Sequence, residues 1–197
     1  MSRIKKIVTL GTLMVSLIGN GVSANNWQNI SGTYNIHNRN PTIRFQKGSN
    51  NSYGFLDLYG GKNFNFEDFY SEARARKGIG NGFSVGIEYN GGSNMDDLIR
   101  PHLAYSNSIG KTSLDVRYSP IESTGQNGQQ LGVYASRNFG KFGLEGWADF
   151  DYKDRKVTPM GELEASLKLY NISAVVRGEK YPWQKSPKLS LGIKTDF

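Results

Sequence analysis

Short segments in which apolar and polar residues alternate recur along most of this chain. In one of the clearest, Leu163, Ala165, Leu167 and Leu169 are separated by charged or hydroxyl-bearing residues. A period of two is typical of β-strands, because successive side chains of a strand point to opposite faces. Such segments lie near 29–37, 41–47, 53–60, 69–77, 82–90, 98–106, 110–118, 130–138, 141–151, 161–170, 172–179 and 188–197. The pattern predicts an all-β fold of about twelve strands.

The connections between these segments alternate in length. The short ones lie at 48–52, 78–81, 107–109, 139–140 and 171. The longer ones lie at 61–68, 91–97, 119–129, 152–160 and 180–187, and only the short connection at 38–40 breaks the rule. Outer-membrane barrels have short periplasmic turns and longer outer loops. We therefore expect a transmembrane antiparallel up-and-down β-barrel with both termini in the periplasm, of twelve strands, with ten as the nearest alternative.

The N-terminus has the order of a secretory signal peptide. A positively charged start precedes a mostly apolar run over 7–18, and small residues at 22–24 offer a cleavage site after Ala24. The run is too short to span a bilayer. We expect residues 1–24 to be removed and residues 25–197 to form one domain, the barrel.

The composition excludes several other classes of protein. The chain has no cysteine, so a disulfide-stapled exported fold is excluded. Three of the 24 basic residues lie in the leader, which leaves 21 against 17 acidic residues, a net charge of +4. This surplus is too small to indicate a nucleic-acid partner. No later stretch approaches 18 apolar residues, as a transmembrane helix would require. No cluster of metal ligands or cofactor motif is visible, and we expect neither.

The two faces of the predicted strands suit a barrel in a membrane. The polar faces carry many long charged side chains: Arg44, Asp57, Glu72, Arg74, Arg76, Glu88, Arg100, Asp115, Arg117, Glu145, Asp149, Glu164, Lys168 and Arg177. In a wet lumen these groups would pair, whereas a charge facing lipid near the midplane costs about 2–4 kcal/mol. Aromatic residues near strand ends of the apolar faces predict a girdle at the membrane interface: Tyr34, Tyr105, Tyr118, Phe150 and Tyr152. The last predicted strand ends at Phe197, and outer-membrane proteins typically end in a strand of this kind.

A series of short motifs adds a family resemblance. They are Trp27-Gln28, TIRF over 42–45, YGFLDL over 53–58, FYSEAR over 69–74 and FSVGIEYNGG over 83–92, with a later echo in GWADF over 146–150. The segment from Trp27 to Tyr89 resembles the nucleoside-specific channels of the outer membrane, the Tsx-type porins. The resemblance implies a monomeric twelve-stranded barrel whose narrow lumen contacts nucleosides through aromatic and ionisable side chains.

Alternation and the resemblance together predict the residues that line the pore and contact the solute. An aromatic ring offers a base or sugar a flat apolar surface, and stacking contributes about 1–3 kcal/mol. Carboxylates and guanidinium groups can bond hydroxyls and ring nitrogens. The predicted set is Tyr53, Phe55, Asp57, Tyr59, Tyr70, Glu72, Arg74, Glu88, Arg100, Tyr134, Trp147 and Asp149. The alternative is that the charged members only satisfy one another and fill the lumen.

Two rival classes of function stay open. An enzymatic barrel needs a histidine within reach of Ser, Asp or Asn partners. The chain offers only His37, beside two asparagines at an outer loop, and His102, mid-strand facing the lumen, and it has no Gly-x-Ser-x-Gly motif. A non-conducting structural barrel would have to act through its loops. We predict a monomeric, non-enzymatic outer-membrane channel of a Gram-negative bacterium. Lipid and lipopolysaccharide would surround it, and it would pass small hydrophilic solutes passively, with nucleosides the leading substrate.

Overall fold

The segments in which apolar and polar residues alternate form β-strands. The computed structural model describes residues 27–36, 39–49, 51–61, 66–93, 95–125, 128–182 and 184–196, so the predicted leader and Phe197 lie outside the described residues. No helix in this part of the chain is long and apolar enough to cross a membrane. The strands are β1 (Trp27–Asn35), β2 (Pro41–Gly48), β3 (Ser52–Gly60), β4 (Phe66–Gly80), β5 (Phe83–Gly92), β6 (Met95–Ile109), β7 (Thr112–Ser119), β8 (Gln129–Phe139), β9 (Phe142–Lys153), β10 (Lys156–Leu169), β11 (Ile172–Lys180) and β12 (Lys188–Asp196).

The twelve strands form one closed antiparallel barrel. Each strand pairs with the strands before and after it in sequence, and β1 closes the barrel by pairing with β12. The closing register runs from Asn29 opposite Asp196 to Asn35 opposite Ser190. Closure leaves no strand edge with unpaired backbone groups. The predicted up-and-down barrel of twelve strands is confirmed, and the ten-strand alternative is wrong.

The two faces of the barrel differ sharply in polarity. On β12 the inward Ser190 is 6% exposed, whereas the outward Leu191 and Ile193 are 48% and 60% exposed. The same alternation runs around the barrel, so large apolar side chains cover the exterior. An apolar surface of this extent suits hydrocarbon and not water.

The residues of the predicted aromatic girdle lie outward, near the strand ends. Tyr34, Tyr118 and Tyr152 are 40–47% exposed at the outer end of their strands, the end that carries the β1–β2 connection. Phe150, which is 37% exposed, lies two residues further from that end than Tyr152 does. Tyr105 lies toward the opposite end and packs on Phe83, with ring centroids 4.9 Å apart.

Two of the connections predicted to be long are tight turns. β9 continues to Lys153 and β10 begins at Lys156, and β5 and β6 extend to Gly92 and Met95. In the first turn Asp154 and Arg155 have φ of 50° and 63°, values of the kind that match the twist of a two-residue hairpin. The predicted loops at 91–97 and 152–160 are therefore wrong. In the segment 152–160 the charged run over 153–156 and Pro159 interrupt the alternation, whereas the backbone pairing continues to Lys153 and Lys156.

Candidate functional site

The lumen holds a chain of charged residues that crosses it, the Arg44 network. Arg44 on β2 donates to Asp57 on the neighbouring β3 at 2.7 and 2.8 Å. It also donates to Glu162 on β10 at 2.5 and 3.0 Å. Strands β2 and β10 are four positions apart around the barrel, so this contact spans the lumen. The network consists of Arg44, Asp57, Glu162, Arg177, Glu164, Lys194 and Glu145.

The Arg44 network continues toward the end of the barrel that carries the short turns. Arg177 reaches Glu162 at 3.2 Å and Glu164 at 2.6 Å. Lys194 then bonds Glu164 at 3.2 Å and Glu145 at 2.8 Å. Acidic and basic groups thus alternate from β3 through β10 to β9, and six strands are joined by side chains as well as by the backbone ladder.

A second group of charges, the Glu88 network, occupies the other side of the lumen. Glu88 on β5 accepts hydrogen bonds from Arg74 at 2.7 Å and from Arg117 on β7. Arg117 also reaches Asp149 on β9 at 3.4 Å, and Arg100 lies 3.7 Å from Glu88. The network consists of Glu72, Arg74, Arg76, Glu88, Arg100, Asp115, Arg117, Asp149 and Asp151.

The centre of both networks is nearly shielded from water. Asp57 is 1% exposed, Glu88 and Arg117 are 3% exposed, and Arg44 is 6% exposed. Charges removed from water to this degree are tolerated only when they are paired and hydrogen-bonded. The lumen at this level is therefore narrow, and its wall is held by ion pairs.

All six charged residues of the predicted pore-lining set lie in these networks. Asp57 belongs to the Arg44 network, and the others to the Glu88 network: Glu72, Arg74, Glu88, Arg100 and Asp149. The predicted set omitted the ten other members of the networks. Seven of these are among the charged residues predicted for the polar faces, and Glu162, Lys194 and Asp151 are not. All three lie on the polar side of an alternating segment, which is the signal that could have found them.

Three of the predicted aromatic residues form one patch of the lumen wall. Phe55 contacts Tyr53 and Tyr70, with ring centroids 5.9 and 5.5 Å away. The guanidinium of Arg44 lies 5.0 Å from the Phe55 ring centre, and that of Arg74 lies 5.2 Å from the Tyr53 ring centre. Cation–π contacts therefore cover these two rings, and Phe55 is only 8% exposed.

The remaining predicted aromatic residues are half-buried. Tyr59 donates to Asp57 at 3.2 Å, and Tyr134 donates to Glu145 at 3.3 Å. Trp147 on β9 contacts Tyr181, the residue directly after β11, with ring centroids 6.1 Å apart. These three side chains therefore adjoin the Arg44 network, and the pair of Trp147 and Tyr181 lies near its Glu162.

The segment after β11 is fastened against the lumen wall. The backbone N–H of Tyr181 donates to the amide oxygen of Gln184 at 3.0 Å, and the Gln184 amide donates to Glu179 at 3.2 Å. Burial raises the pKa of the Tyr181 hydroxyl well above its ordinary value. The sequence analysis missed Tyr181, because this residue lies beyond the end of the alternating segment 172–179.

His102 lies in the lumen wall, as alternation predicts, and is 4% exposed. Within the described residues, neither of its ring nitrogens has a hydrogen-bond partner. Its ring lies against Gly86, where an added Cβ would come within 2.6 Å of Nε2. The part of the chain that the structure describes holds no group of three His, Asp or Glu side chains able to bind a metal ion, and His37 lies outside it.

Comparison with known proteins yields structural relatives alone. No protein-family model and no curated protein matches the sequence. A structure of the KdgM porin is similar with a TM-score of 0.56 and 13% identity, over 87% of this chain and 99% of that one. The same porin in complex with disordered oligogalacturonate matches with a TM-score of 0.56 and 14% identity over the same shares. The NanC porin matches with a TM-score of 0.54 and 11% identity, over 86% of this chain and 98% of that one. The resemblance to Tsx-type channels stays a prediction, and what the chain shares with these porins is the fold of their barrels.

Proposed function

We propose that this protein is an outer-membrane channel through which small hydrophilic solutes diffuse passively. The observation that carries the proposal is a closed barrel with an apolar exterior and a lumen lined by charged and aromatic side chains. An exterior of this kind favours a membrane location, and a polar interior favours a water-filled path. The fold shared with KdgM and NanC porins supports the proposal, as does the predicted leader over residues 1–24. The channel acts as a monomer among lipid and lipopolysaccharide.

Nucleosides are the proposed solutes. The sequence resemblance to nucleoside channels supports them, and so does the aromatic pair of Trp147 and Tyr181. These two rings are half-buried, whereas Phe55 is 8% exposed and is covered by the guanidinium of Arg44. A base can therefore stack on this pair while the carboxylate of Glu162, opposite Trp147 in register, accepts a hydrogen bond from a ribose hydroxyl.

Single-channel recording in planar bilayers tests both parts of the proposal. The protein should conduct, and added nucleosides should block the current transiently. Trp147→Ala and Tyr181→Ala should each weaken the block about tenfold, because each removes a stacking surface of about 1–3 kcal/mol. Tyr170→Ala is the matched control, since Tyr170 is 97% exposed in the turn after β10 and should leave the block unchanged.

The outcomes separate the candidate functions. Conductance without nucleoside block would contradict nucleosides as the solutes but would still support the channel function. Complete absence of conductance would favour a second candidate, a structural barrel without a permeation path. The contact of Arg44 with Glu162 across the lumen favours this candidate.

A further inference from the structure

The charge balance of the lumen is acidic. The Arg44 network contains three cations and four carboxylates. The Glu88 network contains four cations and five carboxylates. Together the two networks hold seven cations against nine carboxylates, which is an excess of two negative charges when every group is ionised.

Each cation of the networks is already engaged by a carboxylate. The longest such pairing is that of Arg100, at 3.7 Å from Glu88 and 3.8 Å from Asp151. The guanidinium of Arg44 is held by two carboxylates on opposite sides, and that of Arg177 likewise contacts two. An acidic solute would have to displace these buried partners in order to bind a cation, whereas a neutral or cationic solute meets surplus carboxylate oxygens.

Cations outside the networks lie toward the ends of the barrel, and the half-buried Lys188 lies opposite a carboxylate, Glu179, in register. At the end of the barrel with the short turns, Lys77, Lys111, Arg137 and Lys141 are exposed to solvent. Salt at physiological strength screens exposed charges beyond about 8 Å, whereas buried or partly buried charges are screened much less. The narrow part of the lumen, and not its rims, therefore determines which ions and solutes pass.

We infer that this channel admits neutral and cationic solutes and excludes acidic ones, the class to which the oligogalacturonate bound by the KdgM porin belongs. The inference rests on the proposed channel function and narrows its substrate class. Neutral nucleosides satisfy it, and so do uncharged sugars of similar size. Uronates and other acidic saccharides do not, because they bring a further negative charge into a lumen that already has a surplus.

The zero-current potential in a potassium chloride gradient tests the charge preference directly. A cation-selective lumen makes the dilute side positive, because potassium crosses more readily than chloride. A potential of zero or of the opposite sign contradicts the inferred cation preference but not the proposed channel function. Absence of any conductance contradicts the channel itself, and the inference with it.

Two carboxylates can be neutralised without leaving a cation alone. In Glu145→Gln, Lys194 keeps Glu164, and in Asp151→Asn, Arg100 keeps Glu88. The double variant removes the excess of two, so its zero-current potential should fall toward zero. Asp154→Asn changes a charge in the exposed outer turn and should leave the potential unchanged. An unaltered potential in the double variant would show that the networks do not set the selectivity.

Solute uptake by proteoliposomes provides the second measurement. Glucose and glucuronate have nearly the same size and differ by one carboxylate. Glucose should enter several times faster than glucuronate, and the double variant should reduce the difference. Equal rates, or faster entry of glucuronate, would overturn the inference even if the channel conducts.

Discussion

Arg44 is the side chain on which the interior of this barrel depends most. It pairs with Asp57 beside it and with Glu162 across the lumen, and both carboxylates are nearly inaccessible to water. Arg44→Ala should lower the free energy of unfolding by about 3–5 kcal/mol, because removal of one partner leaves buried charge uncompensated. Urea titration in lipid vesicles, followed by tryptophan fluorescence, measures the loss.

A second arginine serves as the control for this experiment. Arg137 is exposed and contacts the Phe139 ring at 4.7 Å. Arg137→Ala removes an equal charge and should cost no more than about 1 kcal/mol, since an exposed cation–π contact contributes about 0.5–1 kcal/mol. Equal losses in the two variants would show that the buried network does not stabilise the barrel more than a surface contact does.

Single residues also mark the limit of what alternation can predict. The position of Asp57 and Arg44 on the lumen face follows from the period of two. The pairing of Arg44 with Glu162, 118 positions away, does not. It depends on the tilt and stagger of twelve strands, which bring non-neighbouring strands to the same height. The covering of Phe55 by Arg44 depends on the register of the adjacent strands β2 and β3, which makes these two residues diagonal neighbours.

At the scale of elements, the seam between β1 and β12 leaves no room for a side chain at Gly192. A Cβ at Gly192 would collide with the carbonyl oxygen of Gly32 and lie 2.7 Å from the Cα of Thr33, whereas a Cβ at Gly32 would meet nothing within 4 Å. Gly192→Ala should therefore destabilise the barrel by about 1–3 kcal/mol through overpacking of backbone that cannot move aside. The midpoint of heat-induced unfolding in SDS gels should fall.

The neighbouring strand supplies the matched variant. Gly32→Ala makes the same chemical change on the other side of the seam and should leave the midpoint unchanged, because the added methyl group has open space. A fall of similar size in both variants would point to loss of glycine flexibility in general. Only a loss confined to Gly192→Ala supports the close approach of β12 to the Gly32 carbonyl.

The strand ends show why element boundaries are harder to predict than the elements. Alternation identifies β9 and β10 because one face of each meets an apolar environment. Near the Asp154 turn four consecutive charged residues over 153–156 interrupt the alternation, although Tyr152 and its partner Val157 still lie on the outward face. The backbone ladder nevertheless continues to the pair of Lys153 and Lys156, and the residue composition does not indicate this.

For the whole molecule, closure of twelve strands brings the polar faces of all of them around one lumen. The count of alternating segments predicted twelve strands, and the alternation of short and long connections predicted an up-and-down barrel, although two of the long connections are tight turns. The solute class was not predictable in this way. It depends on which charges neutralise one another in three dimensions, and that balance emerges only when the barrel has closed.

Closure and register can be tested together by a designed cross-link. Tyr34 on β1 and Leu191 on β12 are opposite one another in register and both point outward, at 40% and 48% exposed. Directly opposed residues have Cα atoms about 4.5–5.5 Å apart, within the range that a disulfide bridges. The chain has no cysteine of its own, so Tyr34→Cys with Leu191→Cys should oxidise to one defined intramolecular bond. The bonded form should resist heat unfolding in SDS gels, and reduction should restore normal behaviour. Tyr34→Cys with Leu163→Cys, on β10, should not cross-link. Bond formation in that control pair, or its absence in the first pair, would contradict the seam between β1 and β12.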